Sequence, residues 1–135
     1  DIDGSKPWQD ELDFYNEYKD KVIIKHLYGS LFFGFTAFFK DKVKSYSGEV
    51  KAIIFRMDRV PYIDQSGLYA LEDIILDLNQ QNIEVIMVGL QEQPYDMLKA
   101  VDIIPDLVPE EDIFQKVEDS FNFLRKKIKE TNPEK

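Results

Sequence analysis

Residues 51–68 read Lys51-Ala52-Ile53-Ile54-Phe55-Arg56-Met57-Asp58-Arg59-Val60-Pro61-Tyr62-Ile63-Asp64-Gln65-Ser66-Gly67-Leu68. The run from Lys51 to Met57 is nearly all apolar, as expected of a strand covered on both faces in a parallel sheet. A loop follows from Asp58 to Ile63, with Pro61 inside it. Beyond it, Leu68, Leu71, Ile75 and Leu78 recur at helical spacing up to about Asn82. Strand, loop and helix in this order are half of a crossover unit. Asp64 falls where an N-cap belongs, accepting from backbone N–H groups one or two residues into the helix.

Working outward, the same alternation repeats. Upstream, Val22-Ile23-Ile24-Lys25-His26-Leu27 is a short β-branched run, and Gly29-Ser30 turns the chain into Leu31-Phe32-Phe33. These two runs are expected to pair antiparallel. Phe35, Phe38, Phe39 and Val43 then mark one helical face, ended at Ser47-Gly48. Downstream, Glu84 to Gly89 is another buried strand. Pro94 suits the first turn of a short helix that carries Leu98 and Val101 inward. Leu107-Val108 reads as a brief edge strand. Pro109-Glu110-Glu111-Asp112 reads as a helix start, with acidic residues at the positive end of the macrodipole. Phe114, Val117, Phe121, Leu124 and Ile128 form its apolar stripe, and Arg125, Lys126, Lys127 and Lys129 complement its C-terminus. Residues 1–20 read as a linker with scattered aromatics that forms a short helix or lies against the domain, and residues 131–135 as a tail. The expectation is an α/β fold: a mixed, mostly parallel sheet of four to five strands flanked by about four helices.

Composition removes several functions. The 135 residues include no cysteine and one histidine, His26, which excludes thiol chemistry, disulfides and most zinc sites. His26 reads as structural or surface. The net charge of −9 repels phosphate backbones, so nucleic acid is not an expected partner. No glycine-rich nucleotide loop occurs, and no cofactor is expected. Glu72-Asp73, Glu111-Asp112 and Glu118-Asp119 read as solvated helix faces rather than acid–base pairs. The greasiest stretch, Leu31 to Phe39, is far short of a membrane span, and Asp1 to Ser5 lacks the pattern of a signal peptide. A phosphate-receiver domain is excluded because the first strand ends in Lys25-His26-Leu27 where an acidic pair is needed.

Ser66 lies in the first turn of the helix, beside unpaired N–H groups. Two readings stay open. A phosphate added there is stabilised by the helix end, with room left by Gly67. Alternatively, Asp64 and Ser66 only cap the helix, and Gly67 permits close packing on the sheet. The helix after Gly34 likewise offers N–H groups to an anion or a nucleotide phosphate, which makes Gly29, Ser30 and Gly34 weak candidate contacts. Phe32 and Phe33 point to opposite strand faces and read mainly as core.

Ile63-Asp64-Gln65-Ser66-Gly67 resembles the Asp-x-Ser/Thr-Gly signature of STAS domains, named for sulfate transporters and anti-sigma-factor antagonists, with Gln65 where many members have a hydroxyl residue. Gly29-Ser30-Leu31-Phe32-Phe33-Gly34 is similar to the Gly-Pro-Leu-Phe-Phe segment of the SulP transporter branch, with Ser30 in place of proline. The resemblance spans about Lys21 to Lys127. It implies the antagonist-like STAS fold and a non-catalytic regulatory domain on the cytoplasmic side of the plasma membrane. The partners it implies are the transporter's own membrane domain, a cytoplasmic regulatory protein and a second copy through the transporter. Ser66 matches the position phosphorylated in antagonists. Pro61, Tyr62, Asp64, Gln65 and Gly67 would form the surrounding motif and docking loop. The alternative is a free-standing antagonist switched by phosphorylation.

Overall fold

The computed structural model describes residues 6–28, 39, 46 and 48–131. Its sheet has four strands in the order β1 (Val22–Tyr28), β2 (Ala52–Arg59), β3 (Glu84–Val88) and β4 (Ile113–Phe114). All three pairings are parallel, with Ile24 opposite Ile54 and Ile54 opposite Ile86. The antiparallel strand expected at Leu31-Phe32-Phe33 lies outside the described residues.

Helices cover both faces, as a parallel sheet requires. On one side, α2 (Gln65–Gln80) and α3 (Glu92–Ala100), with the helical residue Phe39, close over Ile53, Phe55, Met57, Val85 and Met87. Leu68, Leu71, Ile75 and Leu78 all point into this layer, and Phe39 meets Phe55 edge to face at 5.9 Å. On the other side, α1 (Leu12–Tyr18) and α5 (Val117–Thr131) cover Val22, Ile24, Ala52, Ile54, Ile86 and Val88. Phe14 of α1 stacks on Phe121 of α5 at 4.2 Å, joining the two helices over the sheet. The segment from Gln9 to Tyr18 is therefore part of the packed layer, anchored by Phe14 and Tyr18. After α2 ends, Asn82 turns the chain with φ of 62°, a left-handed position that asparagine tolerates.

Three sequence expectations need correction. Leu107-Val108 is not a strand. Both amides donate to the Ile103 carbonyl, closing a turn after α4 (Ile103–Asp106), so neither is free to join a ladder. The edge strand is instead Ile113–Phe114, which pairs with Met87 and Val88. Pro109–Asp112 does not open the last helix. It forms a 3-10 turn, with the Asp112 amide donating to the Pro109 carbonyl at 2.9 Å, and Ile113 then extends into β4. Helix α5 starts at Val117, with Glu118 and Asp119 in its first turn. Finally, Val101 is 37% exposed rather than turned inward; Leu98 alone of that pair is buried.

Asp112 also departs from expectation, because it is buried and faces Glu84 rather than water. Burial, followed by the neighbouring Glu84 charge and hydrogen bond, pushes its carboxyl up to about 7. Lys127 of α5 donates to Glu84 at 2.7 Å and moderates that repulsion.

Candidate functional site

The loop between β2 and α2 emerges at the C-terminal ends of the strands, where open α/β sheets present their variable loops. Val60 and Ile63 are buried and pin its two halves to the core, while Pro61 and Tyr62 between them project outward, Tyr62 with 62% of its surface open. Asp64 is the N-cap of α2. Its carboxylate accepts from the Gly67 amide at 2.7 Å, three residues on rather than the one or two expected from the sequence. Ser66, the second residue of α2, is exposed. Gly67 is buried beneath it. Gln65 donates to the Tyr69 hydroxyl at 3.2 Å, and Tyr69 is itself half exposed. Pro61, Tyr62, Gln65 and Ser66 thus share one exposed loop and helix start. Gly29, Ser30 and Gly34, the other candidate contacts, lie outside the described residues.

Two glutamines at the N-terminal end of α3 hold this loop. The Ile63 amide donates to Gln93 Oε1 at 2.8 Å, and Gln93 Nε2 donates back to the Ile63 carbonyl at 3.1 Å. Gln91 Nε2 donates to the Asp58 carbonyl at 3.0 Å. Nothing in the sequence singled these residues out, since an exposed-looking glutamine carries no spacing signal.

Behind the loop lies a buried ionic network. Arg56 projects from β2 with 5% of its surface exposed. Its Nε and Nη2 donate to the two oxygens of Asp58, both at 3.1 Å, in a forked pair. Its Nη1 donates to Asp10 and to Glu11, both at 3.0 Å. Burial works against the guanidinium charge, but the hydrogen bonds to Asp58 and Asp10 outweigh it and hold the proton more firmly than usual. Glu11 is fully buried and also meets His26 Nε2 at 2.8 and 3.0 Å, and it accepts from the Trp8 amide at 3.0 Å. Burial raises the Glu11 carboxyl, yet the hydrogen bonds from His26 and Trp8 prevail and leave it below the ordinary carboxylate range. Trp8 stacks on His26 at 4.2 Å, and the guanidinium groups of Arg56 and Arg59 each lie 4.6 Å from its ring centre. Arg59 also lies 5.5 Å from the Tyr28 ring. His26 is thus a buried structural residue. A cation inside the apolar run of β2 was the available signal for this network, because a buried charge requires partners.

Gly89, in the bend just after β3, closes the site. Its φ is 77°, and a Cβ there would sit 2.7 Å from Asp58 Cγ. Among the described residues, no group of three or more His, Asp or Glu is placed to hold a metal ion, and no helix is long and apolar enough to cross a membrane.

A parallel α/β sheet whose second strand runs through an Asp-x-Ser-Gly turn into an amphipathic helix defines a class of small regulatory domains. A family model for the STAS domain matches residues 13–120, and the chain belongs to that family. STAS domains are generally non-catalytic interaction and regulatory domains. The chain resembles a sulfate transporter family protein from Wolinella succinogenes, with 26% identity and a TM-score of 0.69 over 77% of this chain and 84% of the other. It shares the fold of the SulP transporter STAS domain from Vibrio cholerae, at 21% identity and a TM-score of 0.75 over 87% of this chain and 98% of that one. A candidate anti-sigma factor antagonist from Thermotoga maritima has the same fold at 15% identity and a TM-score of 0.60, over 77% and 87% of the two chains. No curated protein sequence matches the chain significantly.

Proposed function

We propose that this chain is the cytoplasmic, non-catalytic regulatory domain of a SulP-type transporter of sulfate or another small anion. The likeness to the Wolinella succinogenes sulfate transporter family protein carries this reading, since it extends over most of both chains. The segment Gly29-Ser30-Leu31-Phe32-Phe33-Gly34 supports the same branch. In this reading residues 1–20 lead from the membrane domain, which is the first partner, and the domain works at the inner face of the plasma membrane. Dimerisation follows through the transporter rather than through this domain alone. The exposed surface of Pro61, Tyr62, Gln65 and Ser66 is the docking site for a cytoplasmic regulatory protein. Loops of this kind suit the task because a rigid sheet positions them. Ser66→Ala and Ser66→Glu should leave the isolated fold intact and alter anion transport by the full-length protein. Unchanged transport at equal surface expression would count against the site.

One observation favours a second reading. Ser66 is exposed in the first turn of a 16-residue helix, where the positive end of the macrodipole favours an added phosphate. The same domain would then be a free-standing antagonist, with phosphate at Ser66 opposing partner binding by charge and bulk. Phosphate-affinity gels after incubation with an anti-sigma kinase separate the two. Stoichiometric modification of Ser66 favours the antagonist.

A further inference from the structure

We infer that the N-terminal segment from Pro7 to Tyr18 is a strap whose docking on the sheet is thermodynamically coupled to the conformation of the loop before Ser66, with Arg56 as the positioning residue between them. The inference concerns the strap and the loop only, and holds whichever partner the loop serves.

The contacts form an unbroken chain. Asp10 and Glu11 on the strap hold Nη1 of Arg56, and the remaining edge of the same planar guanidinium grips both oxygens of Asp58. A guanidinium is rigid, so fixing one edge fixes the direction of the other. Asp58 lies at the C-terminal end of β2, just before the loop, and its carbonyl is tied to Gln91. Five residues later, Ile63 is clamped by Gln93, and Asp64 then caps the helix that carries Ser66. Gly89 lies against the Asp58 carboxylate, so that side chain has little room for an alternative position while the guanidinium stays put.

The strap has the means to move as a unit. Its apolar anchors are Trp8 at one end and Phe14 and Tyr18 at the other, with the charged contacts between them. When the Trp8 end lifts, Arg56 loses two of its three carboxylates and is opened to water, and its hold on Asp58 weakens. Coupling of this kind is reciprocal: whatever loosens the loop must loosen the strap by the same factor. The polypeptide preceding the domain thereby gains a lever on the β2–α2 loop.

Trp8 is the sole tryptophan of the chain, which makes the test direct. Acrylamide quenching of Trp8 reports the strap, and hydrogen exchange of the Ile63 amide reports the loop. In the full chain, Glu11→Gln changes only the strap side. It should make Trp8 more quenchable and speed Ile63 exchange by about 5- to 150-fold beyond any acceleration of the β3 amides, which report global stability, the range being that of typical coupling energies. Gln93→Ala changes only the loop side and should raise Trp8 quenching. Unchanged Ile63 exchange in Glu11→Gln overturns the inference, whether or not Trp8 becomes accessible. Equal acceleration in β3 overturns it too, because the strap would then contribute only global stability. So does unaltered Trp8 quenching in Gln93→Ala.

Discussion

Replacing Glu11 by alanine removes the carboxylate on which three groups converge. It accepts from Arg56 Nη1 and from the Trp8 amide, both at 3.0 Å, and contacts His26 Nε2 at 2.8 and 3.0 Å. Removing one member of a buried ion pair costs about 3–5 kcal/mol, because the partner is left desolvated without compensation. Arg56 keeps Asp58 and the half-exposed Asp10, so the lower end applies, about 3 kcal/mol. For a domain of this size, that is a fall in Tm of about 10–15 °C. Urea titrations followed by far-UV circular dichroism at pH 7, with thermal melts beside them, measure both. The sign of the pH dependence is fixed by the lowered Glu11 carboxyl. A depressed pKa contributes stability that is present above the ordinary carboxyl range and is lost as pH falls through the folded value. The difference between wild type and Glu11→Ala should therefore shrink in acid. A loss below about 1 kcal/mol at pH 7, the size expected of an ordinary hydrogen bond, or a gap that stays constant down to strongly acidic pH, refutes the network as described.

Asp112 behaves in the opposite sense. Its carboxyl is raised from 3.8 to about 7, so its contribution is complete below the ordinary carboxylate range and is lost as pH rises from there to about 7; Asp112→Asn should flatten the pH profile between about pH 4 and 7 and gain on the order of 1–3 kcal/mol over wild type above that window. A carbon-detected NMR titration of Asp112 with a midpoint in the ordinary carboxylate range would contradict this. Gly89→Ala combines a positive φ with a clash against Asp58 and should cost about 2 kcal/mol or more. Gly48→Ala, where a Cβ meets nothing within 4 Å, should stay within about 0.5 kcal/mol by the same denaturation assay. Asp64→Ala deletes the cap on Gly67 and should cost about 1 kcal/mol, with faster exchange confined to the first turn of α2; no change in either quantity would show that the cap is dispensable.

The layered architecture was legible because burial imposes period on sequence. The apolar runs 52–57 and 84–88 became central strands, and Leu68, Leu71, Ile75 and Leu78 became the inner face of α2. The region 101–116 was not legible for the same reason. Its apolar residues are too few per segment to show a period, and its course is set by turns closed on the Ile103 and Pro109 carbonyls. Of the candidate site, the Asp64 cap followed from residue type and position. The supports did not. Gln93 acts from thirty residues away, and Glu11 sits in a segment whose acidic composition resembles a solvated linker. Only tertiary packing turned that carboxylate into an interior group. Asp112 was misread for a related reason, since the sequence places it among exposed acidic neighbours and only the β3 edge buries it.

The paired bonds between the Gln93 side chain and the Ile63 backbone bear on any attempt to transplant the signature. An amide side chain there behaves as one rung borrowed from a missing strand, offering a donor and an acceptor at the right separation. Asparagine is too short to reproduce it and glutamate lacks the donor. A chimaera carrying residues 58–67 into another scaffold would keep the motif's letters and lose its shape unless the distant glutamine travelled with them.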